Sequence, residues 1–118
     1  MNKIIKKIEK KYPECTRELL DNAEKAYELF CKKQSDYGDS NIRLGLDLSS
    51  SSERSQNNRL AQLGVVIRMN DKVSRLINLY KKDMVDASEV DESIEDTCFD
   101  VMNYASMLMI LRKRKWGK

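Results

Sequence analysis

The chain has 118 residues, of which 35% are charged and 41% hydrophobic, with one proline and four glycines. This composition favours long charged helices over a turn-rich β fold, and the length suffices for one hydrophobic core but not for two. Because the sequence contains no histidine, Ser-His-Asp catalysis, Cys-His catalysis and histidine-based zinc sites are excluded. Any chemistry must therefore use carboxylates, Lys, Arg, Tyr and a hard metal ion such as Mg²⁺. We predict a single all-α domain over residues 1–118.

The first two helices are predicted from the spacing of apolar residues. Ile4 and Ile8 lie on one side of a short helix that ends near Pro13, because proline disfavours helical geometry in the residue before it. Thr16 can cap a second helix, whose apolar residues from Leu19 onward recur every three or four positions. We expect this helix to end at about Lys33.

Residues 34–62 lose the helical period and are rich in Ser, Asn, Asp and Gly. We predict a long loop here, between the second and third helices, and two alternatives stay open for it. It is either disordered or an ordered lid over a ligand, since loops of this length in compact domains are usually one or the other.

The third and fourth helices are predicted to lie on either side of a short acidic connection. From Leu63 a heptad-like apolar stripe returns, and polar residues occupy the opposite half of the same helix. The stripe consists of Val66, Met69, Val73, Leu76 and Tyr80, and the polar half holds Arg68, Asp71, Lys72, Arg75 and Asn78. The fourth helix should begin at Ser88 or Asp91 and end near Lys113. We expect residues 113–118 to form a solvated basic tail and do not expect nucleic acid as a partner.

The cysteines and the hydropathy of the chain indicate its compartment. Cys15, Cys31 and Cys98 are odd in number and form no CxxC pair, so we expect reduced residues in the core or at its boundary. No run of residues is long and apolar enough to span a bilayer, and the N-terminus is too charged for a signal peptide. We expect no membrane contact and a cytoplasmic location, or the host cytoplasm for a phage protein.

Carboxylates are concentrated before and within the last helix. Residues 83–100 contain eight of the 19 acids and no Lys or Arg. On a helix, Asp96, Asp100 and Asn103 lie about 40°, 80° and 20° from Glu92, so these oxygen-bearing side chains share one stripe. The stripe is flanked by apolar positions, which predicts that the acids are partly buried and need compensation.

Two interpretations of this stripe stay open. In a purely structural one, Arg68, Lys72 and Arg75 pair with Glu92, Asp96 and Asp100. In a functional one, the acids hold Mg²⁺ and the bases bind the phosphates that the cation carries. The metal ligands would then be Asp71, Glu92, Asp96 and Asp100.

The chain resembles a known family in three segments, KKQSDYG at 32–38, RMNDKVSRLINL at 68–79 and DESIEDTCFDVMNYA at 91–105, and in their order. They look like the nucleotide modification associated domain family of phages and bacteria, itself similar to the MazG-like all-α NTP pyrophosphatases. The resemblance covers about residues 15–112. It implies a helical bundle, assembled as a dimer or tetramer, that binds (deoxy)nucleoside triphosphates through Mg²⁺.

The same resemblance implies roles for individual residues. Lys33, Asp36 and Tyr37 would contact base, sugar or phosphate. The ExxE motif of the MazG-like enzymes corresponds to Arg68-x-x-Asp71, and their ExxD motif to Ser93-x-x-Asp96. Each motif thus keeps only its second acid, and Glu92 and Asp100 would replace the missing ligands.

Our leading hypothesis is a Mg²⁺-dependent pyrophosphohydrolase that cuts a (deoxy)NTP into NMP and pyrophosphate. Glu95 would accept the proton of the attacking water, and the phosphates would be bound by Arg68, Lys72 and Arg75, with Asn103 beside them. The alternative is a protein that binds a nucleotide without cleaving it, as a DNA-modification accessory or a phage sponge of a nucleotide signal. The substitution of an acid by Arg68 favours this alternative.

Overall fold

A computed structural model describes residues 2–37, 54–83 and 90–116 of the chain. Within these ranges the backbone forms four helices, which we number α1 (Asn2–Lys11), α2 (Thr16–Tyr37), α3 (Arg54–Asp83) and α4 (Val90–Arg112). The described part of the chain contains no strand, which confirms the predicted all-α class. None of the described helices has a segment long and apolar enough to span a bilayer.

The core lies where α3 and α4 cross in antiparallel directions. Ala61 and Val65 of α3 pack against Met107 and Leu111 of α4, and none of the four is more than 2% exposed. The backbones can approach closely here because Ala61 and the buried Gly64 have little or no side chain. This contact sets how α3 and α4 are rotated about their own axes. It therefore determines which residues of the two helices face each other along the rest of their length.

Helix α2 packs against another side of α4, through the buried Ala26 and the half-buried Phe30. The apolar pattern of α2 led us to expect a broader buried face, but Leu19 and Tyr27 are 67% and 70% exposed. Helix α1 has no buried residue. The described chain is therefore an α3–α4 hairpin with α2 on one flank.

The helix ends match the sequence at three of the predicted boundaries. Helix α1 ends two residues before Pro13, α2 begins at Thr16 and α4 ends one residue before Lys113. The predicted loop over 34–62 is too long, because α2 continues to Tyr37 and α3 already begins at Arg54. Packing overrides weak helix propensity here, since Ala61 at the predicted end of the loop is fully buried. Residues 38–53, where a lid was considered, lie outside the described ranges.

The C-terminal turn exposes Lys113, Arg114 and Lys115, as predicted, but Trp116 packs against the core. Lys115 N–H donates to Ile110 O at 3.1 Å and Arg114 N–H to Leu111 O at 3.0 Å, with Arg114 at φ 55°. These bonds form a Schellman cap, which reverses the chain and turns Trp116 towards the core. Its indole contacts the ring of Phe30 edge-on, with centroids 6.1 Å apart. The predicted solvated tail is therefore wrong for this residue.

The three cysteines are free, as predicted, but all three are exposed and none belongs to the core. Cys15 has φ 62°, at the residue before the first turn of α2. This is the left-handed region, which is costly for any residue with a Cβ atom.

Candidate functional site

Three charged side chains from three helices meet at one point, and we call them the Lys33–Lys72–Asp100 cluster. Lys33 of α2 lies 2.8 Å from one carboxylate oxygen of Asp100, and Lys72 of α3 lies 3.0 Å from the other. The side chain of Asp100 is only 16% exposed, whereas those of Lys72 and Lys33 are 28% and 43% exposed. The cluster is therefore a carboxylate held under two ammonium groups that reach solvent.

Burial and charge act in opposite directions on Asp100. Burial alone would raise the pKa of this carboxyl, but hydrogen bonds and charge from Lys33 and Lys72 outweigh it and hold the pKa below the ordinary value of 3.8. Asp100 is therefore ionised at neutral pH. Two ammonium groups therefore meet one ionised carboxylate, and charge-assisted hydrogen bonds join the three groups.

Asn103 ties α4 to α2 one turn beyond Asp100. Its side-chain amide donates to the main-chain carbonyl of Ala26 at 3.0 Å. Because Ala26 is small and buried, the backbone of α2 comes close enough for this bond to form. Asn103 lies three positions after Asp100, so both project from the same side of α4. The bond fixes α2 and thereby the position from which Lys33 reaches the cluster.

A cleft of about 260 Å³ runs between α2 and α4 beside the cluster. Most of its wall is apolar, and Asn103 and Ser106 supply polar groups. The lining residues are Ala23, Ala26, Tyr27, Phe30, Met102, Asn103, Ser106 and Ile110. Phe30 and Asn103 also border the small space of about 20 Å³ next to Lys33 and Asp100. A flat apolar group in the cleft would therefore lie close to the ammonium groups.

A second, open groove of about 430 Å³ lies along α3, lined by Asp71, Ser74, Arg75, Asn78, Leu79 and Lys82. All of its described lining comes from one helix. The exposed Asp71 and Arg75 lie here and not in the cluster.

The predicted site residues are thus only partly brought together. Lys33, Lys72 and Asp100 meet, and this pairing agrees with one contact of the purely structural interpretation. The half-buried Arg68 lies one turn before Lys72 on α3. Asp36, Glu95 and Asp96 are exposed, and the side chains of Tyr37 and Glu92 lie outside what the structure describes.

The expected burial of the acidic stripe is correct for Asp100 and wrong for Asp96. Asp96 lies one turn before Asp100 on α4, and its side chain is exposed. Among the described residues, no three Asp, Glu or Cys side chains form a group that could hold a metal ion. The oxygens of Asp100 face ammonium groups, so the described side chains do not fit the predicted Mg²⁺ site, and we derive no step through the cation.

The cleft between α2 and α4 was not anticipated from the sequence. Ala23, Ala26 and Phe30 belong to the periodic apolar residues from which α2 was predicted. The available signal was the pair of alanines one turn from an aromatic residue, since small side chains leave space beside a large one.

Comparison of the chain with protein-family models, with curated proteins and with solved structures finds no match. The family resemblance of the three sequence segments therefore stays a prediction. The function has to be argued from the geometry of the cluster and the cleft.

Proposed function

We propose that this protein binds a (deoxy)nucleoside triphosphate, with the phosphates at the Lys33–Lys72–Asp100 cluster and the base in the adjoining cleft. The observation that carries the proposal is the meeting of two ammonium groups over one carboxylate, where α2, α3 and α4 come together. Phosphate oxygens would accept hydrogen bonds from the N–H donors of Lys72 that are not directed at Asp100.

Asp100 acts in this proposal as a positioning residue. Its two oxygens hold the ammonium groups of Lys33 and Lys72 at 2.8 and 3.0 Å, so less side-chain entropy is lost when a ligand binds. An ammonium group has three N–H donors, so Lys72 keeps donors for phosphate beyond the one directed at Asp100. Partial exposure of both lysines leaves a path for the ligand.

The cleft supports a nucleotide as the ligand, in preference to an inorganic anion. Its apolar wall with a few polar groups is typical of small-molecule sites. Phe30 offers an aromatic surface, and the hydroxyl of Ser106 and the amide of Asn103 can hydrogen-bond to base edges. The base would therefore bind by apolar contact, and the phosphates by charge.

A second proposal is that the bound nucleotide is hydrolysed to NMP and pyrophosphate in a Mg²⁺-dependent reaction. The resemblance of the three sequence segments to the nucleotide modification associated domain family, itself similar to the MazG-like pyrophosphatases, supports it.

Calorimetric titration of NTPs and dNTPs into wild type, Lys33→Met, Lys72→Met and Lys25→Met tests the binding proposal. Lys25 is an exposed residue of the same helix as Lys33 and serves as the matched control. Each substitution in the cluster should weaken binding about tenfold or more, which is the effect of losing one charged hydrogen bond. Equal affinity in all four proteins would contradict the proposal.

A further inference from the structure

Helix α1 carries its apolar and its basic side chains on two separate sides. At 100° per residue, the apolar residues lie within an arc of about 100°. They are Ile4, Ile5, Ile8 and Tyr12, which we call the apolar face of α1. Five of the ten residues of α1 are lysine, and they fall within an arc of about 140° on the other side. These are Lys3, Lys6, Lys7, Lys10 and Lys11.

The described chain leaves the apolar face of α1 largely uncovered. Ile4, Ile8 and Tyr12 are 62%, 49% and 57% exposed, and α1 has no buried residue. Glu9, the single acid of the helix, lies 3.5 Å from Arg17 of α2, so its charge is offset. A helix of this length is marginal in water unless its apolar side packs against something. The apolar face therefore calls for a partner, and the lysines call for a negatively charged one.

We propose that α1 binds the surface of a membrane that contains anionic lipids, with the helix axis parallel to that surface. The apolar face would enter the boundary between headgroups and acyl chains, and the lysines would contact the lipid phosphates. Lys7 and Lys11 lie beside Ile4 at the edge of the apolar face, so their methylene groups can stay in the apolar layer while the ammonium groups reach the headgroups. The ring and hydroxyl of Tyr12 suit the same boundary.

A lipid surface uses both sides of α1, which other negatively charged partners do not. Nucleic acid would pair with the lysines but leave the apolar face in water. A groove on another protein would bury the apolar face but leave the lysines on the far side of the helix in solvent. Above a membrane, every lysine lies within about 10 Å of the charged surface, which is close to the Debye length of about 8 Å. All five lysines would therefore contribute to binding.

The strength of this binding follows from the size of the two sides. Each lysine near an anionic surface strengthens binding about fivefold. Three isoleucines and one tyrosine offer only a small apolar area, so we expect weak, reversible binding that falls as salt is added. The sequence led us to expect no membrane contact because the chain has no spanning segment and no signal peptide. A helix that lies in the plane of the surface needs neither of them.

The first test is flotation of the protein with phosphatidylcholine vesicles that contain either no phosphatidylserine or about 30% of it. Wild type should float with the anionic vesicles only. Lys6→Gln combined with Lys10→Gln should weaken binding about 25-fold, and Ile8→Gln about tenfold. Lys25→Gln and Leu19→Gln are the matched controls, because both residues are exposed on α2. Failure of wild type to float, or equal weakening by the controls, would overturn the inference.

The second test distinguishes insertion of the apolar face from general attraction between charges. An environment-sensitive dye is attached to a single cysteine, after Cys15, Cys31 and Cys98 are replaced by serine. On anionic vesicles, the emission of the dye at Ile8→Cys should shift to shorter wavelength, and the dye at Lys6→Cys, on the opposite side of α1, should shift much less. Equal shifts, or no shift at either position, would overturn the inference. Binding to duplex DNA or to an acidic peptide, with none to vesicles, would overturn it too.

Discussion

The substitution Asp100→Asn tests the electrostatics of the cluster. It removes the negative charge between two ammonium groups and leaves the shape of the side chain almost unchanged. A hydrogen bond to a charged group contributes about 1.5–3 kcal/mol to the free energy of unfolding. The bond to Lys33 contributes less than this, because that side chain is 43% exposed and water screens its charge. The amide oxygen of Asn can still accept one bond. We therefore expect the free energy of unfolding to fall by about 2 kcal/mol at pH 7.

The loss of stability caused by Asp100→Asn should be larger at neutral pH than in acid. Because the pKa of Asp100 is lower in the folded state than its ordinary value of 3.8, its stabilising contribution is present above pH 3.8. That contribution is lost as the pH falls through the folded-state pKa. The difference in the free energy of unfolding between wild type and Asp100→Asn should therefore become smaller below pH 3.8, where the wild-type carboxyl also becomes neutral.

Urea denaturation followed by circular dichroism, at several pH values, measures the free energy of unfolding of each variant and its dependence on pH. Asp96→Asn is the matched control, since Asp96 is an exposed acid one turn earlier on α4 and should change the stability by less than about 0.5 kcal/mol. The reasoning is refuted if Asp100→Asn is no less stable than this control at pH 7, or if the difference stays constant on acidification.

Three further substitutions test local features of the fold by the same urea assay. Cys15→Gly should raise the free energy of unfolding by about 1 kcal/mol, because glycine adopts the positive φ of this position without strain. Cys31→Gly, within α2, should lower it by about the same amount. A change in the same direction for both variants would contradict this explanation. Asn103→Ala should cost about 1 kcal/mol by breaking the bond to α2, and no loss would show that this bond contributes little. Trp116→Ala should cost about 2 kcal/mol, and an unchanged stability would mean that the C-terminal turn is not packed in solution.

The helical class, the end of α1, the start of α2 and the end of α4 followed from the sequence because they depend on local features. Pro13, Thr16 and the periodic apolar residues act within a turn or two of their own position. The start of α3 was missed because its first turns are rich in Ser, Asn and Gln, and only contact with α4 reveals that Ala61 is buried. Likewise, the sequence predicted one apolar stripe on α3, but Val66, Val73 and Tyr80 of that stripe are exposed, and the contact with α4 instead buries Ala61 and Val65.

The sequence indicated which charged residues belong to the site, but not which of them pair with each other. Lys72 and Asp100 were candidate residues because charged side chains beside apolar surface need partners, whereas Lys33 was a candidate only through the family resemblance. Which base meets Asp100 depends on how α2 and α3 are placed around α4. That placement depends on Ala26 and Asn103, whose roles appear only when the helices are packed.

Incubation of the pure protein with a panel of NTPs and dNTPs plus Mg²⁺, followed by ultrafiltration, heat denaturation and chromatography, tests the central claim most directly. We predict that at least one nucleotide is retained on the filter with wild type and passes through with Lys72→Met. Recovery after heating as the intact triphosphate would support binding alone, and recovery as NMP with pyrophosphate would support hydrolysis as well. If no nucleotide is retained or converted, even at millimolar concentration, the claim that the cluster binds nucleotide phosphates is contradicted.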